Sequence, residues 1–539
     1  MSDEIKHECA VAMVVLRHAP EGGGDFGGTK LSLLLEKQHN RGQDGAGAAI
    51  LRSTPVPGEP AYWLAKSASA TPLADLLGAI AKRPRNSERV FLGHLRYATF
   101  GKNEVAFCHP FVHESSELNH TLLLAGNFNL TNAAELFKAY QAAGEFPTSR
   151  ADGYLVTELV ARELSKGITE ALASALSAAD GAWTLCGATG DGRAFATRDK
   201  FGIRPGWYYV DDDVVAVASE RPAIQAAFDV RPEDVKELPP GSALVVSPDG
   251  SIEMVALDPM SARQTRTSHC SFERLYFSRA NDCDIHRERK ALGAALVPSI
   301  MKAADAPLKR IFFSYIPNSA RIAFHGLLER LFEERGPIRF GEAIVKDAKF
   351  RTFIADAAAR REFYKHVYDV TYGLIGPEDT LVVLDDSIVR GNTMKNAILP
   401  MLDRLGPKRI VIASSAPPIR YPDCYGIDMS TLGELVAFKA LVNLLGENAE
   451  CELKRAPLDS LYARFPEERH SAEIARLLAP PGMKAEVKVV YQNVEDLHRC
   501  LGENVGDWYF TGRYPTPGGY RILGKAVENY LQRKTERSY

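Results

Sequence analysis

The pattern of apolar positions changes character near residue 250. Before it, apolar runs of six to ten residues are bounded by glycine and polar residues, which is typical of strands in packed sheets. Helical stretches near 132–143 and 153–178 interrupt these runs. The pattern predicts a layered α+β domain with sheets covered by helices. The predicted strands are AVAMVVL (10–16), GAGAAI (45–50), RVFLGHLRYA (89–98), HTLLLAG (120–126), GAWTLCGAT (181–189) and VVAVAS (214–219).

A turn-rich polar segment over 247–270 separates this pattern from a different one. Beyond it, the apolar runs IFFSYI (311–316), DTLVVLDD (379–386) and KRIVIASSAPP (408–418) alternate with loops and helices. Such alternation predicts an α/β domain built on a parallel sheet.

The chain has 539 residues, which is more than a single hydrophobic core normally supports. We therefore expect a first domain over 9–245, a second over 270–480, and a C-terminal extension over 481–539.

Composition, charge and cysteine spacing argue against several classes of protein. The formal charge of −3 offers no basic excess for a nucleic-acid backbone, so we expect no nucleic-acid partner. No apolar run approaches the ~20 residues that span a bilayer, and the N-terminus lacks the pattern of a secretory signal. The sequence thus predicts a cytoplasmic protein without membrane contact. Its eight cysteines include no CxxC pair, which argues against a zinc site or a disulfide framework.

The string LVVLDDSIVRGNTMK (381–395) is the strongest chemical signal. A buried strand ends in the adjacent carboxylates Asp385 and Asp386, and a short loop leads to the next helix. In open α/β sheets, ligands bind beyond the carboxyl ends of the strands. The loop amides and hydroxyls can hold a phosphate, and the carboxylates can hold two sugar hydroxyls or Mg²⁺. The plainer alternative is an Asp-rich turn that caps a helix.

This string resembles the 5-phosphoribosyl-1-pyrophosphate (PRPP) signature of type I phosphoribosyltransferases. The first half resembles the N-terminal-nucleophile glutamine amidotransferases. Together the similarities cover about 420 residues and match the amidophosphoribosyltransferase family. The strings that carry the resemblance are HECAVAMVV (7–15), QHNRGQDGAG (38–47), GHLRYATFG (93–101), GNFNLTN (126–132), RDKFGIRP (198–205), CSFERLYFSRA (270–280) and APPIRYPDCYGIDM (416–429).

The resemblance implies an αββα N-terminal-nucleophile sandwich followed by a phosphoribosyltransferase domain. Cys9 would be the nucleophile, with its own α-amine as the base, so that residues 1–8 would be removed as a propeptide. Arg96 would bind the α-carboxylate of glutamine and Asp152 its α-ammonium. Asn127 and the Phe128 backbone would stabilise the oxyanion. For Cys9 alone, a buried strand cysteine is the plainer alternative.

The same resemblance implies PRPP binding by Asp385 and Asp386, which are also the expected Mg²⁺ ligands. It further implies that PRPP contacts residues of the loop after these aspartates, of the pyrophosphate loop and one arginine. These are Ser387, Ile388, Val389, Arg390, Gly391, Asn392, Thr393, Ser319 and Arg351. The expected reaction transfers ammonia from glutamine to PRPP and gives 5-phosphoribosylamine, glutamate and pyrophosphate. A homo-oligomer and inhibition by purine nucleotides are also implied.

The sequence departs from the family pattern at several positions. Phe128 stands where the family has glycine, and Asn318 where it has an acidic residue. One branch of the family holds a four-iron, four-sulfur cluster on four cysteines. Cys270 fits the first ligand position, Cys424 is one residue from the second, and the last two are missing, so we expect no cluster. Two alternatives stay open: an ammonia-dependent paralogue, and a non-catalytic module that senses purine phosphates.

Overall fold

The structure is a computed structural model that describes residues 8–18, 25–52, 56–85, 87–98, 104–258, 267–346, 368–534 and 537. Within these ranges, every helix is too short or too polar to cross a bilayer. The predicted site residue Arg351 lies outside the described residues.

The first half has strands at all six predicted places and helices in both predicted stretches, and it contains further strands and helices that the apolar pattern does not predict. Its strands are β1 (Ala10–Leu16), β2 (Gly45–Arg52), β3 (Tyr62–Ser67), β4 (Glu88–Arg96), β5 (Phe111–His113), β6 (Leu122–Leu130), β7 (Gly181–Thr189), β8 (Ala194–Arg198), β9 (Trp207–Val210), β10 (Val214–Ala218), β11 (Lys236–Glu237), β12 (Ser242–Val246) and β13 (Ile252–Ala256). Its helices are α1 (Phe26–Lys37), α2 (Pro72–Lys82), α3 (Ala133–Ala142), α4 (Asp152–Ala161), α5 (Ile168–Ser177) and α6 (Arg221–Phe228).

Two antiparallel sheets stack face to face in this half. In the described residues one sheet has the order β11-β9-β10-β1-β4-β2-β3 and the other β13-β12-β8-β7-β6-β5. The odd positions of β1, such as Val11 and Met13, pack between the sheets with Leu123 and Ala125 of β6. The even positions, such as Ala12, pack against α1. Burial on both faces explains why β1 is apolar throughout. The predicted sandwich of sheets between helices is confirmed.

The second half has a parallel sheet at its centre. Its strands are β14 (His269–Cys270), β15 (Ile311–Tyr315), β16 (Arg339–Phe340), β17 (Ile344–Lys346), β18 (Tyr368–Val370), β19 (Thr380–Asp385), β20 (Arg409–Ser414), β21 (Glu486–Tyr491) and β22 (Val505–Gly506). Its helices are α7 (Cys283–Ala295), α8 (Val297–Ala304), α9 (Arg321–Arg335), α10 (Leu399–Asp403), α11 (Val436–Leu445), α12 (Ala449–Arg455), α13 (Leu458–Tyr462), α14 (Glu467–Leu478), α15 (Val494–Leu501), α16 (Trp508–Thr511) and α17 (Pro517–Leu531).

The parallel sheet has the order β16-β15-β19-β20-β21 in the described residues, so the predicted α/β class is confirmed. Its last strand, β21, comes from the segment 481–539 that we expect to be an extension. Tyr514 and Ile522 of that segment are buried in the same core as Phe438 of α11. This segment is therefore packed into the second domain.

Two local features differ from the sequence pattern. The helix expected over 153–178 is two helices, α4 and α5, because the chain turns at Gly167 with a φ of +90° that favours glycine. The polar segment 247–270 contributes the strand β13, which pairs with β12 at the edge of a sheet. This edge strand is half-buried at Ile252 and Val255 and exposed at its other three positions, so it has no continuous buried face to give a strong apolar signal.

A buried charge network joins the two halves. The guanidinium of Arg41 binds Glu220 at 2.6 Å and Glu273 of the second half at 2.5 Å. It also lies 3.6 Å from Glu8, whose carboxylate pairs with Arg204 as well. Burial by itself would lower the pKa of Arg41, but Glu273 and Glu220 hold it above its ordinary value. Removing one partner from such a network leaves a buried charge unpaired, so the network fixes how the halves meet.

Candidate functional site

Cys9 lies immediately before β1, where the chain enters the space between the two sheets. Its Sγ accepts a hydrogen bond from the Tyr97 N–H at 3.3 Å and lies 3.7 Å from the Tyr97 carbonyl oxygen. Burial raises the pKa of the thiol to about 11, although Arg96 acts in the opposite direction. The thiol is therefore protonated near neutral pH and needs a base before it can attack.

A cavity of about 30 Å³ opens on Cys9. Its wall includes Arg96 at the end of β4 and Asp152 at the first position of α4. The cavity thus brings together a thiol, a cation and a carboxylate from three distant parts of the chain. Burial raises the pKa of Asp152 to about 6, and hydrogen bonding from the Gly153 amide lowers it only in part.

Strand alternation indicates where the predicted oxyanion donors point. The odd positions 123 and 125 of β6 face the space between the sheets, and so do 11 and 13 of β1. Continued to positions 127 and 9, the same alternation directs the side chains of Asn127 and Cys9 into that space. The Nδ2 of Asn127 is buried and has no hydrogen-bond partner within the described residues. Asn127 itself is not part of the cavity wall, which takes Gly126 and Phe128 from β6.

The backbone N–H of Phe128 points away from the neighbouring strand β7. Its cross-strand partner Trp183 exchanges hydrogen bonds with Asp199 on the other side. In antiparallel sheets, hydrogen-bonded and non-bonded pairs alternate, so Phe128 and Gly126 both direct their backbone groups to the open edge of β6. The Gly126 N–H and C=O confirm this direction, because they bond to His109 and His94. An amide donor is therefore present at position 128 without glycine.

A second cavity, of about 710 Å³, lies beyond the carboxyl ends of the parallel strands. Most of the predicted PRPP-binding residues line it, and Asn392 is the described one that does not. Those in the wall are Ser319, Asp385, Asp386, Ser387, Ile388, Val389, Arg390, Gly391 and Thr393.

The adjacent carboxyl groups at the end of β19 both have pKa values above the ordinary value. Burial, and then the charge of Asp386, raises the pKa of Asp385 well above its ordinary value. Burial raises the pKa of Asp386 too, although hydrogen bonds from Ser319 and Ser387 and the charge of Arg289 lower it. Two buried carboxylates in this state fit a divalent cation or ribose hydroxyls, either of which would stabilise the ionised forms.

The loop after β19 takes its shape from Gly391. This residue has a φ of +77°, and a Cβ placed on it would lie 2.3 Å from the Leu478 side chain. Any larger residue would be strained and would clash, so the glycine holds the loop against α14. Arg390 lines the cavity but binds Glu434 at 2.6 Å and the Asp428 carbonyl at 3.1 Å, which anchors the loop.

Sequence reasoning missed most of the cations in this cavity. Arg279, Arg289, Arg321 and Lys346 are all in its wall, although the whole chain carries a formal charge of −3. Burial lowers the pKa of Arg289 to about 10, which leaves it a cation at neutral pH. A signal existed for Arg279, which lies in the string CSFERLYFSRA, and for Arg321, which lies two residues after Ser319 of the predicted pyrophosphate loop.

His39 and Asn40 of the first half also line this cavity. They directly precede Arg41, whose guanidinium lies near Glu8, and the Gly42 N–H donates to the Glu8 carbonyl at 2.9 Å. The short segment 39–42 therefore forms part of the wall of the larger cavity and also contacts Glu8, the residue before Cys9.

The positions considered for a metal cluster come together in one apolar core. Cys270, Cys424, Trp508 and Tyr509 are all buried there. The Sγ of Cys270 lies 3.3 Å from the Tyr509 hydroxyl, and the Trp508 indole donates to Asp423 at 3.2 Å. Both cysteines thus lie in a core that also contains aromatic side chains, and the absence of an iron–sulfur cluster stays a prediction.

Comparisons with known proteins find relatives of this chain. Residues 109–226 match the family described as a glutamine amidotransferase domain. The amidophosphoribosyltransferase of Methanocaldococcus jannaschii is 30% identical over 366 residues, which are 64% of this chain and 73% of that protein. That of Bacillus subtilis is 30% identical over 353 residues, 64% of this chain and 69% of that protein.

The fold is similar to that of a solved structure as well. Glutamine PRPP amidotransferase from B. subtilis, solved in complex with ADP and GMP, superposes with a TM-score of 0.70 at 25% identity. The superposition covers 94% of this chain and 97% of that one.

Proposed function

The chain belongs to the amidophosphoribosyltransferase family, and from this premise we propose how its two cavities share one reaction. The enzyme transfers ammonia from glutamine to PRPP and gives 5-phosphoribosylamine, glutamate and pyrophosphate, the first step of purine nucleotide synthesis. The observation that carries the assignment of sites is the placement of Cys9, Arg96 and Asp152 around one cavity and of Asp385 and Asp386 in the other.

In the smaller cavity, Arg96 pairs with the α-carboxylate of glutamine and Asp152 with its α-ammonium. Cys9 then attacks the side-chain amide carbon and forms a C–S bond. The oxyanion accepts hydrogen bonds from the Asn127 Nδ2 and the Phe128 N–H. The C–N bond breaks as ammonia leaves with a proton from the base, and water hydrolyses the thioester to glutamate.

The base for this attack is the α-amine of Cys9 after removal of residues 1–8. Its ordinary pKa of about 7.7–8.0 suits proton transfer, and the buried thiol cannot ionise without such help. Removal also takes away Glu8, so Arg204 loses its partner in the pair with Glu8 and Arg41 keeps Glu220 and Glu273.

In the larger cavity, the loop over 387–393 binds the 5′-phosphate and the cations of the wall bind the pyrophosphate. Asp385 and Asp386 hold the ribose hydroxyls or a Mg²⁺ ion, which neutralises pyrophosphate charge when bound. Ammonia attacks C1 of the ribose, the bond from C1 to the pyrophosphate oxygen breaks, and the new amine loses a proton. The surrounding arginines stabilise the departing pyrophosphate.

An assay of both half-reactions tests this proposal. Purified protein with glutamine, PRPP and Mg²⁺ is expected to release glutamate and pyrophosphate in equal amounts, and intact-mass measurement should show an active chain that begins at Cys9. Pyrophosphate release with ammonium but not with glutamine would instead indicate an ammonia-dependent paralogue. Release of neither product would indicate a non-catalytic sensor.

The raised pKa of Asp152 predicts an acid limb in the pH profile for glutamine. Protonation of the α-amine base, with its ordinary pKa of about 7.7–8.0, already lowers kcat/KM for glutamine as the pH falls. A protonated Asp152 cannot pair with an α-ammonium, so this fall should steepen by a further factor of about ten per pH unit below a pH of about 6. Ammonia-dependent product formation, measured in the same buffers and divided by the concentration of free NH3, should lack this steepening. A glutamine profile that does not steepen between pH 6 and pH 5 would remove Asp152 from the binding of the α-ammonium.

A further inference from the structure

A histidine in the glutamine cavity has no part in the roles assigned so far. His109 precedes β5 and lines the same cavity as Cys9, Arg96 and Asp152. It is 7% exposed. A Cβ placed on Gly153, next to Asp152, would lie 3.0 Å from the His109 Cε1. One edge of the imidazole therefore borders the start of α4.

Hydrogen bonding fixes which ring nitrogen of His109 carries the proton. The Gly126 N–H donates to its Nδ1 at 3.3 Å, so in the neutral ring the proton is on Nε2. The Nε2 has no hydrogen-bond partner among the described residues. His94 stacks on the ring at 4.2 Å and donates its own Nε2–H to the Gly126 carbonyl at 3.0 Å. The two histidines thus pair with the open edge of β6 in place of a neighbouring strand.

The environment keeps the ring neutral. Burial, followed by the charges of His94, Lys66 and Arg96, holds the pKa of His109 well below its ordinary value. A neutral imidazole at a fixed tautomer is a preorganised hydrogen-bond donor that costs little desolvation. Such a donor suits an oxygen that gains negative charge during a reaction, because it does not need to lose solvent or reorient.

We propose that His109 is a further catalytic residue of the glutamine site, an inference that rests on the proposed function. Its Nε2–H donates to the side-chain carbonyl oxygen of bound glutamine and to the oxyanion that this oxygen becomes. The donor stands beside Phe128, which also lines the cavity and offers its backbone N–H along the same edge of β6. His109 and the Phe128 N–H then act on the same oxygen.

Two substitutions separate the donor from the rest of the side chain. His109→Phe keeps a ring against His94 but removes the Nε2–H, so kcat for glutamate release should fall about 100-fold with KM within about threefold. His109→Gln keeps an acceptor for the Gly126 N–H and restores an N–H donor, so its kcat should recover to within about tenfold of wild type. His120→Gln, a change at a partly exposed histidine paired with Glu117, is the matched control and should leave both constants unchanged.

The outcomes that overturn the inference are specific. A His109→Phe variant with kcat within threefold of wild type, or with only KM raised, would show that His109 does not stabilise the oxyanion. His109 would then at most contact the α-carboxylate or α-ammonium of glutamine. A His109→Gln variant as slow as His109→Phe would show that the position serves packing. These results differ from failure of the proposed function, in which wild-type protein itself would release no glutamate.

Discussion

Replacing Cys9 by alanine is expected to abolish glutamine hydrolysis while ammonia-dependent formation of 5-phosphoribosylamine continues. The thiol forms the covalent intermediate, and loss of a nucleophile typically costs about 10⁴-fold or more in kcat. The two cavities are separate, so the site that contains Asp385 and Asp386 should stay intact. Glutamate release from glutamine and pyrophosphate release with an ammonium salt measure the two effects.

Cys186 provides the matched control for that variant. It is another buried strand cysteine, packed between the sheets on β7, and burial raises the pKa of its thiol as well. Cys186→Ala should keep glutamine-dependent activity within a few-fold of wild type. If both variants behaved alike, Cys9 would be an ordinary core cysteine, and the glutaminase half of the assignment would be wrong.

The double substitution Asp385→Asn, Asp386→Asn is expected to lower product formation about 1,000-fold with either glutamine or ammonium as the nitrogen source. It removes both anionic groups that can hold Mg²⁺ or the ribose hydroxyls. Because it affects the acceptor and not the ammonia supply, both nitrogen sources should fail together. Binding of PRPP, followed by calorimetry in the presence of Mg²⁺, should weaken in parallel.

The same double variant should not unfold more easily. In the absence of ligand, burial raises the pKa of both carboxyl groups, so the ionised forms disfavour the folded state above the ordinary pKa of an aspartate. Neutral amides remove that cost at pH 7, and the thermal midpoint should stay the same or rise by a few degrees. The exposed pair Asp212 and Asp213 offers the control, since its double asparagine variant should change neither activity nor midpoint. A destabilised 385/386 variant would indicate that these carboxylates serve the fold.

Several parts of the molecule followed from local sequence alone. β1, β7 and β19 are buried on both faces, so each appears as a mostly apolar run and its position is predicted within about one residue. The loop after β19 is also local, because its carboxylates, hydroxyls and glycine are consecutive in the chain. The sequence therefore determined that a short loop of hydroxyls and a glycine, preceded by two carboxylates, follows a buried strand.

The family motifs also predicted that residues far apart in the chain form one site. Cys9, Arg96 and Asp152 have no mutual signal in composition or periodicity, and only the resemblance grouped them. The structure places them around one cavity, as that resemblance implies.

The tertiary structure determined which charged groups line the cavities, how far burial shifts their pKa values, and which strand edge stays open. Arg289 and Arg321 join the larger cavity through the packing of α7 and α9 against the sheet, and no spacing in the sequence predicts which arginines face inward. The burial that raises the pKa of Asp152 and Asp385 is likewise a sum over distant segments. The open edge of β6 exists because β5 begins opposite Leu124, which leaves the Gly126 backbone to pair with two histidines and the Phe128 amide without a strand partner in the described residues. Sequence determined which groups are available, and the fold determined their solvation and direction, because both depend on contacts between segments far apart in the chain.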